Sequence, residues 1–322
     1  MKITVILCTY NRWQSLAKAL ESAAALKLPE SDKWEILVVD NNSTDKTREV
    51  VDNFRQRYPG RFRYLFEPQQ GKSHALNAGI REAHADVLAF MDDDVTVDPG
   101  WLKNLTASLD DDHWAGAGGR ILPQHTLKPP SWLSLSERHA LGPLALFDPD
   151  PNVEELSEPP FGTNMAFRRD VFDKHGSFRT DLGPRPGSEI RSEDSEFAYR
   201  LMMTGEHLRY ERSAIVYHEV PENRLQKDYF LNWWFDKARA DIRAFGIPVT
   251  RNKWRLKGIP LILFRRLTVW TLRWLVAFDP ARRFSCKVKV WLVAGQIQES
   301  YRQAAKAERT ESAATPPRRP SR

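Results

Sequence analysis

Two cysteines in 322 residues, Cys8 and Cys286, are too few for a disulfide framework. That excludes the disulfide-dense secreted scaffolds and points to a reducing, cytoplasmic setting. Cys8 falls inside an apolar run, where a small buried thiol is the simplest expectation. The opening MKITVILCTYNR has one lysine before a seven-residue apolar run, so neither a secretory leader nor an N-terminal anchor is expected. No run of ~20 uninterrupted apolar residues occurs. The most apolar C-terminal stretch, 258–280, is broken by Arg265, Arg266 and Arg273. GKS at 71–73 lacks the glycine that a phosphate loop needs five residues earlier, where Phe66 stands. Residues 304–322 have almost no apolar side chains and are expected to be disordered. Internal repeats are absent.

What is present is an ordinary globular balance, 41% hydrophobic and 28% charged. The net charge of +6 hides an asymmetry: residues 1–220 sum to −8 and residues 221–322 to +14. An acidic body followed by a basic third suggests two parts with different partners. The first 91 residues alternate apolar β-branched runs (3–9, 35–40, 61–67, 86–92) with helical patterns (12–26, 43–58, 72–85). Asn11 and Ser43 are candidate caps for the first two helices. This alternation predicts an α/β fold whose mostly parallel sheet is flanked by helices. A helix over 98–111, a strand over 116–122, a Pro-rich excursion over 123–160, a helix over 193–205 and a strand over 207–220 complete the acidic body.

In such a sheet, ligands gather at the carboxyl ends of the strands. Four segments end there: CTYNR, Asp40 with NNSTD, QQGKSHALN, and the triplet Asp92–Asp93–Asp94. Three adjacent carboxylates repel, and a solvated helix-capping turn is the plain explanation. A calcium loop starting at Asp92 fails, because its sixth position is Val97 and its twelfth Lys103. A magnesium or manganese site bridging to substrate phosphates would remove the repulsion. Gly71 and Lys72, at a helix start, could meet an anion. With Ser43 capping, Asp40 would be free for a ribose or base edge.

VILCTYNR, ILVVDNNSTDKT, GKSHALNAGI and MDDDVTVDPGWL, in this order and spacing, resemble the nucleotide-binding half of family-2 glycosyltransferases of the GT-A fold. FGTNMAFRRDVFDKHGSF resembles that family's acceptor-side loop, and SEDSEFAYRLMMTG its Glu-Asp helix; the resemblance covers residues 3–224. It implies a GT-A catalytic domain over 1–224, split into a nucleotide half (1–97) and an acceptor half (98–224). It implies an inverting hexosyltransferase-type enzyme taking a UDP- or GDP-sugar as donor. Thr9, Tyr10, Asn11, Arg12, Asp40, Lys72, Asn77, Asp92 and Asp93 would serve the nucleotide sugar. Asp94 and His218 would hold Mn2+ or Mg2+, and Arg224 could face the diphosphate. Gly162, Thr163, Asn164 and Glu193 would line the acceptor side, and Asp194 would be the base. Inverting transfer needs one such carboxylate for the acceptor's proton, and a Lewis acid for the departing diphosphate. An acidic helix N-terminus is otherwise most simply a response to the helix dipole. The competing readings are a sugar-phosphate nucleotidyltransferase, against which the Gly-free CTYNRW stands, and a non-catalytic nucleotide-sugar or glycan-binding protein.

The basic region 225–303 is expected to be helical and amphipathic. On a helical wheel, the three arginines of 258–280 share an arc opposite Leu267 and Trp274. This suits a helix in a membrane interface, with arginines at headgroups and tryptophan toward acyl chains. Peripheral contact through 258–295 at the inner face of the cell membrane, with a glycan or lipid-linked acceptor, is the expectation; packing on the catalytic domain is the alternative. Leu, Val and Ile are too abundant for a nucleic-acid stacking groove, so no nucleic acid is expected.

Overall fold

The computed structural model describes residues 1–188, 190–246 and 254–314. The chain forms two compact units, residues 1–128 with 144–222, and residues 129–143 with 223–322.

The first unit is built on an eight-stranded sheet. Four parallel strands come first: β1 (Lys2–Thr9), β2 (Lys33–Asp40), β3 (Phe62–Phe66) and β4 (Val87–Asp92). Between them run α1 (Trp13–Ala24), α2 (Thr47–Arg57) and α3 (Lys72–Glu82). Then follow β5 (Val95–Val97), α4 (Trp101–Leu105), β6 (Trp114–Pro123), α5 (Arg138–Leu144), β7 (Met165–Arg168), α6 (Arg169–His175), α7 (Glu193–Met203) and β8 (His207–His218). The sheet order is β3-β2-β1-β4-β7-β6-β8-β5. The β1, β2, β3 and β4 pairings and the β6–β8 pairing are parallel; β7 and β5 pair antiparallel. This is the mostly parallel α/β sheet that the apolar runs predict. Ile36 to Val39 and Val87 to Met91 are buried without alternation, as strands covered on both faces must be.

Register decides what meets at the rim. Thr9 pairs with Asp40, and Cys8 with Asp92, so three strands end level with one another. On the far side, Val95 pairs with His218. That pairing brings the turn after the acidic triplet beside the end of β8.

Several local expectations change. Asn11 does not cap α1: at φ +51° its Oδ1 accepts the Thr44 amide at 2.8 Å and its own amide donates to Ser43 Oγ. Asp45, not Ser43, serves the start of α2, accepting from the Thr47 amide at 3.0 Å and from its hydroxyl. The helix predicted over 98–111 shrinks to five residues, α4, followed by turns.

The second unit holds α5 up to Pro143, α8 (Lys227–Phe245), α9 (Leu261–Val276) and α10 (Pro280–Ala314). Trp132 packs edge-on against Phe230 and Phe284, and Trp234 Nε1 donates to the His139 carbonyl. Arg243 forms a bidentate pair with the buried Glu299. Helix α10 runs on through residues 305–314, against the expectation of disorder. The sequence there, AKAERTESAA, is rich in alanine and in straight-chain charged residues, the better helix formers, and needs no apolar face to continue a helix already begun. Residues 315–322 of that expected tail lie outside the described residues. Among the described residues no helix is long and apolar enough to cross a membrane.

Candidate active site

The rim at the ends of β1, β2 and β4 gathers an acidic centre with two cations. Asp93 is buried; its Oδ2 accepts the Thr9 hydroxyl at 2.7 Å and its Oδ1 the Arg12 guanidinium at 3.2 Å. Arg12 also reaches Asp94 Oδ2 at 3.3 Å. Burial pushes the Asp93 carboxyl up to about 6, opposed by Arg12 and reinforced by Asp94. Arg12 in turn is raised above the ordinary arginine range, chiefly by Asp93. Its side chain is 54% exposed, so the guanidinium can turn away from the acids.

Lys72 is the second cation. Its Nζ lies 2.6 Å from Asp92 Oδ1 and 3.8 Å from Glu193 Oε1. Burial works against its charge, but Asp92, Glu193 and Asp194 outweigh it and raise the ammonium above its usual range. Glu193, buried at the start of α7, is pushed up to about 7 by burial and by Asp194, with Lys72 opposing. Cys8 sits among these groups. Burial, with Asp92, Asp93 and Glu193, pushes its thiol up against the pull of Lys72, which keeps it from acting as a thiolate.

Asp194 is held by backbone. Its Oδ2 accepts the Gly162 amide at 2.8 Å and its Oδ1 the Ser195 amide at 2.7 Å. Ser192 precedes α7 in the left-handed region, at φ +82°, which sets the angle at which Glu193 and Asp194 enter the helix. Thr163 Oγ1 and Ser192 Oγ, on either side of this contact, are buried without a hydrogen-bond partner among the described residues.

Other expected site residues serve the scaffold. Asn164 is fully buried, with Nδ2 donating to the Arg120 and Ala214 carbonyls and Oδ1 accepting from Trp101 Nε1. With its amide committed inside the protein, Asn164 cannot reach a sugar as expected, and instead fixes the loop that carries Gly162. Asn77 likewise exchanges two hydrogen bonds with the Phe178 backbone rather than facing a nucleotide. Asp40 is not free: Oδ1 accepts from the Ser43 amide and Oδ2 from the Tyr64 hydroxyl. The start of α3 is also filled, since the Lys72 amide donates to the Pro184 carbonyl and the Gly71 amide to Asn41 Oδ1. No anion can use those amides. Tyr10 lies 39% exposed at the rim. Arg224 belongs to the second unit, 6.0 Å from the Tyr229 ring. The sequence reading missed Asn41, whose side chain ties together the loops after β2 and β3, and the contact of Lys72 with Glu193; neither has a signal in local sequence.

Asp94 and His218 make a suitable pair of donors for a divalent cation. Asp94 Oδ2 and the buried His218 Nε2 lie 3.8 Å apart. Two donor atoms that each touch a common ion at ~2.1 Å stand at most ~4.2 Å apart, so one ion can reach both. One carboxylate oxygen and one imidazole nitrogen suit manganese or magnesium that keeps waters and substrate oxygens as its remaining ligands. Among the described residues no three His, Cys, Asp or Glu side chains are grouped as a complete metal site.

Comparison with known proteins bears on the family and the fold. The profile described as Glycosyl transferase family 2 matches residues 4–176. The chain is 27% identical to the glucosyl-dolichyl phosphate glucuronosyltransferase of Haloferax volcanii, over 73% of this chain and 75% of that one. It is 28% identical to the succinoglycan biosynthesis protein ExoM of Rhizobium meliloti, over 70% and 69%. In fold it is similar to the mannosyltransferase PcManGT of Pyrobaculum calidifontis, solved with GDP-Man and Mn2+. The TM-score is 0.57 at 20% identity, covering 97% of this chain and 79% of that one. TarS of S. aureus, solved with UDP-GlcNAc, shares the fold at a TM-score of 0.50 and 16% identity, covering 97% and 92%. The chain belongs to glycosyl transferase family 2, and is an enzyme of the GT-A fold that transfers sugar.

Proposed function

We propose that this transferase inverts the anomeric centre, uses a divalent cation, and takes Asp194 as the base that accepts the proton of an acceptor hydroxyl. The observation that carries the reading is the seat of Asp194. Its carboxylate is oriented by the Gly162 and Ser195 amides, at the start of a helix whose first residue contacts Lys72. In the reaction the acceptor oxygen bonds to the anomeric carbon as its proton passes to Asp194. The bond from that carbon to the diphosphate oxygen breaks, and the electron pair leaves with the nucleoside diphosphate. Asp94 and His218 would hold the cation, which when bound supplies Lewis-acid neutralisation of the diphosphate. Lys72 keeps Asp92 and Glu193 from adding further repulsion beside the donor. Arg12 spans Asp93 and Asp94, so it can steady the acidic centre before donor arrives and turn toward phosphate afterwards.

By their names, the relatives act on a glucosyl-dolichyl phosphate and serve the synthesis of succinoglycan. We take the acceptor to be a hydroxyl of a glycan or a lipid-linked glycan, and the donor a UDP- or GDP-sugar. Asp194→Asn tests the base: transfer should fall by about 10²–10⁴-fold while cation-dependent donor binding is retained. Transfer at the wild-type rate would remove Asp194 from this role.

A further inference from the structure

The outward face of α9 and the turn into α10 combine features that no transfer chemistry uses. Leu272, Leu275 and Val276 are 58%, 59% and 67% exposed, and Phe278 in the turn is 94% exposed. Arg265, Arg266 and Arg273 are exposed on the same helix. Residues 254–298 carry nine Lys/Arg and a single acid, Asp279. That acid is committed within the fold, since its Oδ1 accepts the Arg282 amide at 2.7 Å and so caps α10.

The orientation differs from the one the helical wheel suggested. Trp270 packs inward, on the small core formed by Ile259, Leu263 and Val293. The Trp274 ring is taken by Lys287, at 5.6 Å. The tryptophans are therefore not the side chains offered outward; leucine, valine and phenylalanine are.

We propose that this face docks on an anionic lipid surface, with Leu272, Leu275, Val276 and Phe278 entering the headgroup–acyl boundary and the arginines pairing with lipid phosphates. Apolar side chains interleaved with arginines, and almost no acid, match such a surface on both counts. A second copy of the chain is a poor occupant, because the face would meet its own positive charge. Nucleic acid is poorer still, since Leu272, Leu275 and Val276 dominate this face and the single ring, Phe278, makes no stacking platform. The helix lies on the bilayer rather than in it, because it is neither long nor apolar enough to cross.

The full-length protein is mixed with vesicles of phosphatidylcholine alone or with phosphatidylglycerol and floated through a density gradient. Binding is expected on the anionic vesicles only, and should weaken at high salt. The triple variant Leu272→Asp, Leu275→Asp, Phe278→Asp should lose flotation while keeping its thermal transition. Arg265→Gln and Arg273→Gln should each lower partitioning by about fivefold. Sugar transfer to a soluble acceptor should be unchanged in all of these, so failure here leaves the transferase reading untouched. Flotation of the triple variant like wild type, equal binding to neutral vesicles, or self-association in place of vesicle binding would each overturn the proposal.

Discussion

Gly162→Ala places a methyl group where the proposed base now stands. A Cβ at 162 would lie 2.9 Å from Asp194 Oδ2, 3.2 Å from its Cβ and 3.4 Å from its Cγ. The first distance is about 0.5 Å short of an ordinary contact. Backbone on both sides is tied, because Asn164 anchors one end of the loop and Asp194 sits in the first turn of α7. The carboxylate must therefore retreat by about half an ångström, and the 2.8 Å hydrogen bond from the Gly162 amide lengthens with it. A misplacement of ~1 Å at a reacting group costs about 10² in rate, so half that distance costs about tenfold; losing the orienting amide brings the total toward a hundredfold. The overpacking itself costs about 1–3 kcal/mol, a fall in Tm of about 2–10 °C. Steady-state kinetics with the nucleotide sugar varied should show the loss in kcat, with KM for the donor little changed. A kcat within twofold of wild type would refute the reasoning. So would a loss carried wholly by donor KM, since that would mean the methyl disturbs the nucleotide rim and not the base.

Other perturbations address the acids one by one. Asp94→Ala should abolish manganese-dependent binding of a nucleoside diphosphate by calorimetry, while Asp94→Glu retains part of it; undiminished binding in the alanine variant removes Asp94 as a ligand. Glu193 gives a pH signature. Its carboxyl is raised from the ordinary 4.5 to about 7, so its neutral form is favoured in the folded protein. The stability from this group is complete below about pH 4.5 and is lost as pH rises through about 7, a change of about 3 kcal/mol. Glu193→Gln should flatten that loss in urea unfolding measured at pH 4.5 and pH 8; an unchanged slope would assign the effect elsewhere.

Much of the fold could be read along the chain because its strands are written in β-branched apolar runs. Ile36–Val39 and Val87–Met91 are buried on both sides, and such runs between helices have few alternatives to a parallel sheet. Parallel register then brings Thr9, Asp40 and Asp92 to one rim, which made the strand-end motifs meaningful together. The local chemistry of the rim was less legible. Asn11 and Ser43 look like helix caps in isolation, yet each binds the other's loop across 32 or 33 residues. Asn164 sits in a loop that reads as substrate-facing, and only the closeness of Trp101, Arg120 and Ala214 turns it inward. The wheel of α9 gave the right amphipathic helix but not its rotation, because the ridge that selects its inner face belongs to α10.

The segment 129–143 has a consequence for the order in which the chain matures. It leaves the first unit after β6, contributes Trp132 and α5 to the second, and returns. On a ribosome making about 5–20 residues per second, Trp132 emerges about 100 residues before Phe230 and about 150 before Phe284, its two ring partners. For roughly 5–30 seconds the nascent chain therefore presents an indole and its apolar neighbours with nothing to receive them. That interval is a window for chaperone capture or for misassembly, and slowing translation between residues 143 and 284 would lengthen it.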